Sequence, residues 1–116
     1  MKFHLEDPFG GLSNCFWSPR ADVYRTPTGW LLKFDLAGVE PGDVRVEASR
    51  SEIQVSGVRR DHFAERGFRH HSMEISYSRF ERRLRLPEDC EISSVQTEYR
   101  EGMLLVTVDT RGESCG

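Results

Sequence analysis

The chain has 116 residues, of which 37% are hydrophobic and 30% are charged, and its formal net charge is −3 at pH 7. This length and composition fit one small globular domain, and no run approaches the ~20 consecutive apolar residues of a membrane-spanning helix. The slightly acidic balance argues against attraction of the whole protein to nucleic acid or to an anionic membrane. We therefore expect a single domain with neither nucleic acid nor membrane among its partners.

Residues 1–18 are expected to form a short apolar arm without regular structure. Glycines and prolines interrupt this segment, yet it carries Phe3, Phe9, Phe16 and Trp17. The segment lacks a basic start followed by an apolar core, so no signal peptide is expected. Apolar side chains in such a segment either dock on the domain or contact another chain.

Short segments rich in β-branched and aromatic residues follow the arm, and turn signals separate them. Several alternate between apolar and polar residues, which predicts strands with one buried and one solvated face. No segment convincingly predicts a helix. The spacing predicts an all-β fold, an immunoglobulin-like antiparallel β-sandwich. The predicted strands are 22–25, 30–36, 43–48, 52–58, 68–74, 76–86, 95–99 and 103–108.

Charge is unevenly distributed along the chain. Residues 59–85 carry a net charge of +4, whereas residues 1–58 carry −2 and residues 86–116 carry −5. Arginines next to aromatic residues in the basic stretch could contact nucleic acid, but interleaved glutamates favour a solvated or interface strand face. We expect charge complementarity within the chain or between copies of it.

The cysteines and histidines do not form a recognisable metal site. Cys15, Cys90 and Cys115 are widely spaced, odd in number and lack a C-x-x-C pair, which favours free thiols in a reducing, cytoplasmic setting. No zinc-binding spacing includes the histidines, and the adjacent His70 and His71 would point to opposite faces of a strand. No metal and no cofactor are expected.

Motifs for catalysis are also missing from the sequence. There is no G-x-S-x-G turn around a nucleophilic serine, and no cysteine lies in a nucleophile signature. No glycine-rich phosphate-binding loop is present. The chain is expected not to be an enzyme, which leaves binding as its function.

Four motifs, in order and at appropriate spacing, resemble the alpha-crystallin domain of the small heat-shock protein family, bacterial type. Residues 17–24 read W-S-P-R-A-D-V-Y, and residues 41–44 read P-G-D-V before two hairpin strands. Residues 80–87 read F-E-R-R-L-R-L-P, and residues 102–108 read G-M-L-L-V-T-V. The resemblance places the domain at residues 19–108, between the arm and a short tail at 109–116.

The resemblance implies a homodimer formed by strand exchange. In similar proteins, a strand in the loop before the Arg-rich strand joins the sheet of the partner subunit. Here the exchanged strand would be 68–74, and the receiving edge would be 22–25 of the other subunit. Protonation of His70 in such a basic interface would weaken the dimer. The implied interface residues are Arg82, at the family's characteristic arginine, together with Asp22, Tyr24, Phe68, His70 and Glu74.

The resemblance also implies an ATP-independent holdase chaperone that binds partly unfolded proteins and prevents their aggregation. Two surfaces are candidates for binding these clients, since unfolding proteins expose apolar area. One is the arm, with Phe3, Phe9, Phe16 and Trp17. The other is a groove between two strands that would take a client or a tail, with candidate residues Val44, Val46, Val95, Thr97 and Tyr99.

The chain departs from the family in its tail, which lacks the I-x-I motif that joins dimers into large assemblies. With a short arm as well, a dimer or a small set of dimers is expected. The groove could instead accept the I-x-I tail of a related small heat-shock protein, so co-assembly is one alternative. A non-enzymatic adaptor of the CS-domain co-chaperone type is the other.

Overall fold

The computed structural model describes residues 13–87 and 90–111, with side chains from residue 17 onward. These residues form eight β-strands, one helical turn and one 3-10 turn. The strands are β1 (Ser13–Trp17), β2 (Ala21–Thr26), β3 (Gly29–Asp35), β4 (Val44–Ser49), β5 (Glu52–Val58), β6 (Ser78–Arg85), β7 (Glu91–Arg100) and β8 (Met103–Arg111). The helical turn, α1, is His62–Glu65, and the 3-10 turn is Pro41–Asp43.

The strands make two four-stranded sheets, ordered β1-β6-β5-β4 and β2-β3-β8-β7. All pairs are antiparallel except β1 with β6, which run parallel. Strands β4 and β7 are edge strands of opposite sheets and contact each other. The predicted all-β sandwich is therefore confirmed, with a parallel pair added at one edge.

Alternation along the central strands fills the core between the sheets. Leu32 and Phe34 of β3 are opposite Val106 and Leu104 of β8, so the inner face of this sheet is continuously apolar. Their burial removes apolar area worth ~25 cal/mol per Å² from water. The opposite sheet contributes Ile53, Val55 and Phe80, all with 0% of their surface exposed.

The loop between β5 and β6 differs from the prediction. Residues 68–74 form no strand in the single chain, and a one-turn helix, α1, lies where no helix was predicted. A lone extended segment gains no ladder hydrogen bonds, so it needs the edge of a sheet before it can become a strand. Asp61 accounts for the helix, because its carboxylate accepts hydrogen bonds from the backbone N–H groups of Phe63 and Ala64.

Strand boundaries at both ends of the domain extend past the predicted ones. The segment expected to be an irregular arm contains β1, which pairs with β6. Strand β7 begins at Glu91, opposite Arg111 at the end of β8, so this hairpin is longer than predicted. The predictions stopped short because Ser93 and Ser94 interrupt the apolar pattern at a β-bulge.

The expectation of free thiols is wrong for Cys90. This residue is 2% exposed and forms a disulfide, whose other cysteine lies outside the part of the chain with described side chains. The odd number of cysteines concealed the pair, because spacing alone does not show which cysteines meet in the fold.

Among residues 13–87 and 90–111, no helix is both long enough and apolar enough to cross a membrane.

Candidate protein-binding groove, edge and loop

The groove predicted from sequence would lie along β4 and β7, which are edge strands of opposite sheets and contact each other. Val46 is opposite Val55, and Val95 is opposite Val108, so the side chains of this pair of edge strands point towards the core. Val44, Val46, Val95 and Tyr99 are partly buried and pack against the core cluster, whereas Thr97 is exposed. The structure therefore brings four of the five predicted groove residues to one apolar border of the sandwich.

Tyr99 is held at one end of this groove by its hydroxyl group. The hydroxyl lies 2.7 Å from the carbonyl oxygen of Leu36 and is also in contact with that of Val39. Burial raises the pKa of Tyr99, so the phenol remains a hydrogen-bond donor. Tyr99 thus connects the β3–β4 connection to β7 by hydrogen bonds. Its position in the sequence did not indicate this structural role.

The predicted receiving edge, β2, exposes large side chains along an edge strand that is paired only with β3. Val23 is 49% exposed and Tyr24 is 44% exposed. Lys33 of the neighbouring strand lies 3.9 Å from the Asp22 carboxylate and 5.4 Å from the centre of the Tyr24 ring. Together these residues make an edge with free backbone positions and apolar side chains, features that favour pairing with another strand.

Arg82 contacts its own subunit in the single chain. Its Nη1 atom donates a hydrogen bond of 2.9 Å to the carbonyl oxygen of Pro19, which lies just before β2. The side chain therefore joins the Arg-rich strand β6 to the chain that leads into the receiving edge.

The base of the long loop is fixed by two arginines that the sequence reasoning did not single out. Arg59 donates to the carbonyl oxygens of Ala37 at 2.9 Å and Ser76 at 2.8 Å. Burial lowers the pKa of this guanidinium group. Arg60 forms hydrogen bonds of 3.0 and 3.3 Å with both carboxylate oxygens of Asp43, and this contact raises the pKa of Arg60. Nothing in the sequence pattern distinguished these arginines from the other twelve.

The rest of the loop is organised around Asp61. Its carboxylate lies 2.6 Å from Nε2 of His70 and caps α1, and the hydrogen bond with His70 is the largest cause of its lowered pKa. Phe63 and Phe68 pack with their ring centres 5.5 Å apart. The sequence reasoning identified His70 and Phe68 but not Asp61 or Phe63.

The predicted interface residues are therefore divided between three places. Asp22 and Tyr24 lie on the β2 edge, and Arg82 lies on the inner side of β6. Phe68 is 54% exposed on the loop, and Glu74, near the end of the loop, is also exposed. Each of these residues has a defined position in the single chain, but the single chain does not bring them together.

Of the predicted client-binding arm, only the end is described. Phe3 and Phe9 lie outside the described residues, and Phe16 is described only as a backbone position in β1. The Trp17 ring packs 5.2 Å from that of Phe80, and its Nε1 atom donates to the carbonyl oxygen of Ser78 at 3.3 Å. Trp17 is thus part of the domain border.

No group of three or more His, Cys, Asp or Glu side chains in the described parts of the chain is arranged to hold a metal ion.

The sequence matches a known family over most of its length. The model of the Hsp20/alpha crystallin family matches residues 22–114. A 17.8 kDa class I heat shock protein from Solanum lycopersicum is 35% identical over 99 residues, covering 84% of this chain and 64% of that protein. A 16.9 kDa class I heat shock protein from Triticum aestivum is 36% identical over 102 residues, covering 85% and 68% respectively. These relatives are plant proteins, so the bacterial subtype stays an expectation.

Solved structures share the fold. HSP18.5 from E. histolytica superposes with a TM-score of 0.71 at 26% identity, covering 81% of this chain and 88% of that one. The hspA protein of Xanthomonas axonopodis gives a TM-score of 0.71 at 25% identity, covering 84% and 97%. With the family match and the two-sheet architecture in agreement, this chain belongs to the Hsp20/alpha crystallin family of small heat shock proteins.

Proposed function

We propose that the protein is an ATP-independent holdase chaperone, which binds partly unfolded proteins and keeps them from aggregating. The observation that supports this function is a set of large apolar side chains exposed by 44–58% of their surface. Covering such side chains with the apolar segments of an unfolding protein is favourable without any chemical step. They lie on β2 and on the loop, and comprise Val23, Tyr24, Phe63, Phe68, Met73 and Ile75.

The proposal includes a homodimer made by strand exchange. Residues 68–74 form no strand in the single chain, and β2 is an edge strand with one unpaired side, so each can supply what the other lacks. Pairing them between two copies would cover Val23 and Phe68 in both subunits. It would also bring the basic loop close to Asp22 of the partner.

The test is aggregation of a model client, unfolded by heat or by reduction and followed by light scattering. A holdase suppresses the scattering at about one subunit per client molecule without ATP. Serum albumin at equal mass is the control for non-specific coating. Scattering that continues unchanged at a fivefold excess of this protein would contradict the proposal and would favour the CS-type adaptor.

Co-assembly with a related small heat shock protein is a second candidate, favoured by the β4–β7 groove. Its apolar border is only partly covered in the single chain, with Val44, Val46 and Val95 at intermediate exposure. A peptide carrying an I-x-I motif should bind there, with isoleucines packing beside these valines. Replacing Val46→Asp should abolish binding, while Glu47→Lys on the opposite face of β4 should preserve it. Equal binding to both variants would rule the groove out.

The proposed activity needs no cofactor and no catalytic residue, because it is binding alone. A cytoplasmic location is proposed from the family resemblance. The cysteines do not support it, because Cys90 forms a disulfide and is not the free thiol of a reducing compartment. Cell fractionation with an antibody to the protein would test the location.

A further inference from the structure

The outward face of β4, β5 and β6, called the charged face below, carries a regular pattern of charge. Val46, Val55 and Phe80 pack in the core, so the residues next to them in sequence point away from it. The strand register sets these outward residues in rows across the sheet, with one residue from each strand. The first row is Arg45, Ser56 and Glu81, and the second row is Glu47, Gln54 and Arg83. The sign of the charge therefore changes along each flanking strand, and it also changes from β4 to β6 within each row.

The two charges on β4 form no ion pair within the described part of the chain. Arg45 and Glu47 are both exposed, and β5 separates them from the opposite charges on β6 by about 10 Å. On β6, Glu81 accepts hydrogen bonds from Gln54 at 2.8 Å and from Arg83 at 3.3 Å. The side chains of Glu81 and Arg83 nevertheless stay 40% and 57% exposed. Both flanks of the charged face are therefore accessible to a second molecule.

We propose that the charged face binds the charged face of a second copy of the chain, with the two-fold axis parallel to β5. A half-turn about this axis lays β4 of each copy over β6 of the other, at the same level along the strands. Arg45 then faces Glu81 of the second copy, and Glu47 faces Arg83 of the second copy. Each of these ion pairs forms twice, because the contact is symmetric. Arginine suits such pairs, since its planar guanidinium group can bind both oxygens of a carboxylate.

The residues that flank the two rows favour this axis over one that runs across the strands. Arg79 and Arg85 lie on β6 on either side of the rows, opposite Val58 and Glu52 of β5. An axis across the strands would lay Arg79 over Arg85 of the second copy, and such like charges repel. The axis parallel to β5 keeps these arginines apart.

Glu52 is the one carboxylate that meets its own counterpart across the proposed axis. Arg83 and Arg85 lie 3.0 and 3.7 Å from its carboxylate oxygens and offset its charge. The strand β1 does not obstruct the contact. It lies on the far side of β6, so it extends beyond the β4 edge of the second copy.

This contact goes beyond the proposed strand exchange, because it uses neither the β2 edge nor residues 68–74. Its charges are largely exposed, so each ion pair is weak and is screened by salt. The charged face would thus be a salt-sensitive link that joins strand-exchanged dimers into small sets.

Analytical ultracentrifugation at two ionic strengths tests the contact. At about 20 mM salt the chain should form sets of dimers, and at about 500 mM salt the dissociation constant of this step should be higher by about tenfold or more. An assembly size that does not depend on salt would overturn the proposal.

Charge exchange between the strands tests which residues face each other. One variant combines Arg45→Glu with Glu47→Arg, and a second combines Glu81→Arg with Arg83→Glu. Each variant alone should lose the low-salt association, because like charges would then face each other between copies. An equimolar mixture should regain it, because the altered β4 of one variant matches the altered β6 of the other. A fault in folding would not be corrected by mixing.

The first variant removes no ion pair within the chain, so it keeps the test valid even if the second variant is unstable. Association of the first variant at parental affinity would overturn the proposal, and so would failure of two folded variants to associate when mixed. The control combines Glu98→Arg with Arg100→Glu, an exposed ion pair on the other sheet. It should associate as the parent protein does.

A photo-crosslink locates the contact directly. Ser49 is exposed at the end of β4, and the proposed axis lays it over Arg85 of the second copy. With p-benzoylphenylalanine at position 49, irradiation of mixed ¹⁴N- and ¹⁵N-labelled chains at low salt should join β4 of one chain to β6 of another. Crosslinks between chains that reach β4 or β2 instead, or no crosslink between chains, would overturn the proposal.

These measurements separate the charged face from the proposed function, since none of them uses a client. Val23→Arg should weaken the strand-exchanged dimer but leave the salt-dependent step intact. If client aggregation is suppressed and the dimer forms, yet assembly does not depend on salt, the charged face fails alone. If assembly depends on salt and mixing restores it, but no client is protected, the holdase proposal fails and the charged face stands.

Discussion

The backbone of the 3-10 turn passes so close to Gly57 that an added Cβ atom would lie 2.1 Å from the Asp43 carbonyl oxygen. It would also lie 2.7 Å from the Phe80 ring, which is fully buried and cannot move aside without leaving a void. The P-G-D-V motif before β4 and the glycine at the end of β5 therefore form one packing unit.

The first prediction concerns this contact. Gly57→Ala should lower the free energy of unfolding by about 1–3 kcal/mol, the usual cost of overpacking. Gly42→Ala is the control, because an added Cβ there meets nothing within 4 Å. Urea denaturation of both variants measures the difference, and equal midpoints would contradict the packing argument.

The second prediction concerns the pH dependence that Asp61 confers. The hydrogen bond with His70 lowers the pKa of Asp61, so its carboxylate stabilises the folded loop above the pKa of the unfolded chain. That stability is lost as the pH falls through the depressed folded pKa, below about pH 4.

Asp61→Asn should retain the helix cap but lose the charge, so it should be less stable than the parent protein at pH 7. The difference should shrink as the pH falls from 7 to 3, towards the depressed pKa of Asp61, and urea denaturation across this range measures it. Glu74→Gln, at an exposed carboxylate of the same loop, should show little change at either pH. A difference that stays constant from pH 7 to pH 3 would exclude Asp61 as its source.

At the scale of elements, Arg82 of β6 binds the connection between β1 and β2 through the carbonyl oxygen of Pro19. Arg82→Gly should lower the free energy of unfolding by about 2 kcal/mol, from a lost hydrogen bond and a glycine in a strand, and should loosen the dimer. Arg85→Gly is the control. It also places a glycine in β6, with the same cost in backbone entropy, but the arginine that it removes is 72% exposed. Thermal melting and sedimentation should separate the two variants, and identical behaviour would leave Arg82 without a special role.

The fourth prediction concerns the edge strand β2 and the affinity of the dimer. Val23→Arg introduces a charge on the proposed receiving edge, so the dissociation constant of the dimer should rise about tenfold or more. Thr107→Arg is the control, since Thr107 is exposed on β8 in the interior of the same sheet. Analytical ultracentrifugation gives both constants. Dimers of unchanged affinity in Val23→Arg would place the interface elsewhere.

Sequence patterns located the central elements well because burial on one face imposes alternation. Strands β3 and β5, whose inner residues are fully buried, were predicted to within about one residue. The loop 59–77 was predicted less well, since its conformation depends on contacts of Arg59 with the carbonyl oxygens of Ala37 and Ser76 and of Arg60 with the Asp43 carboxylate. No local pattern encodes those contacts.

For the whole molecule, the fifth prediction is assembly size. Residues 109–116 contain no I-x-I sequence that could pack beside Val44 and Val46 of another dimer. Light scattering should therefore find dimers or small sets of dimers. A stable assembly of twelve or more subunits would contradict this expectation and would require another link between dimers.

The candidate sites also differ in how far the sequence could predict them. Val44, Val46 and Val95 were candidates for a groove from the family resemblance, and the structure shows that all three pack against the core cluster. The charge pattern on the outward face of β4, β5 and β6 could not be predicted, because it depends on which residues of the three strands lie in one row.

The sequence by itself determined the β-sandwich and the family, because alternating burial and tight turns leave a pattern that is local along the chain. Tertiary structure alone decided the disulfide of Cys90, the arginine contacts at the base of the loop, and the unpaired state of residues 68–74 in a single chain. These features depend on which distant groups meet, and a strand without a neighbouring edge has no partner for its backbone hydrogen bonds.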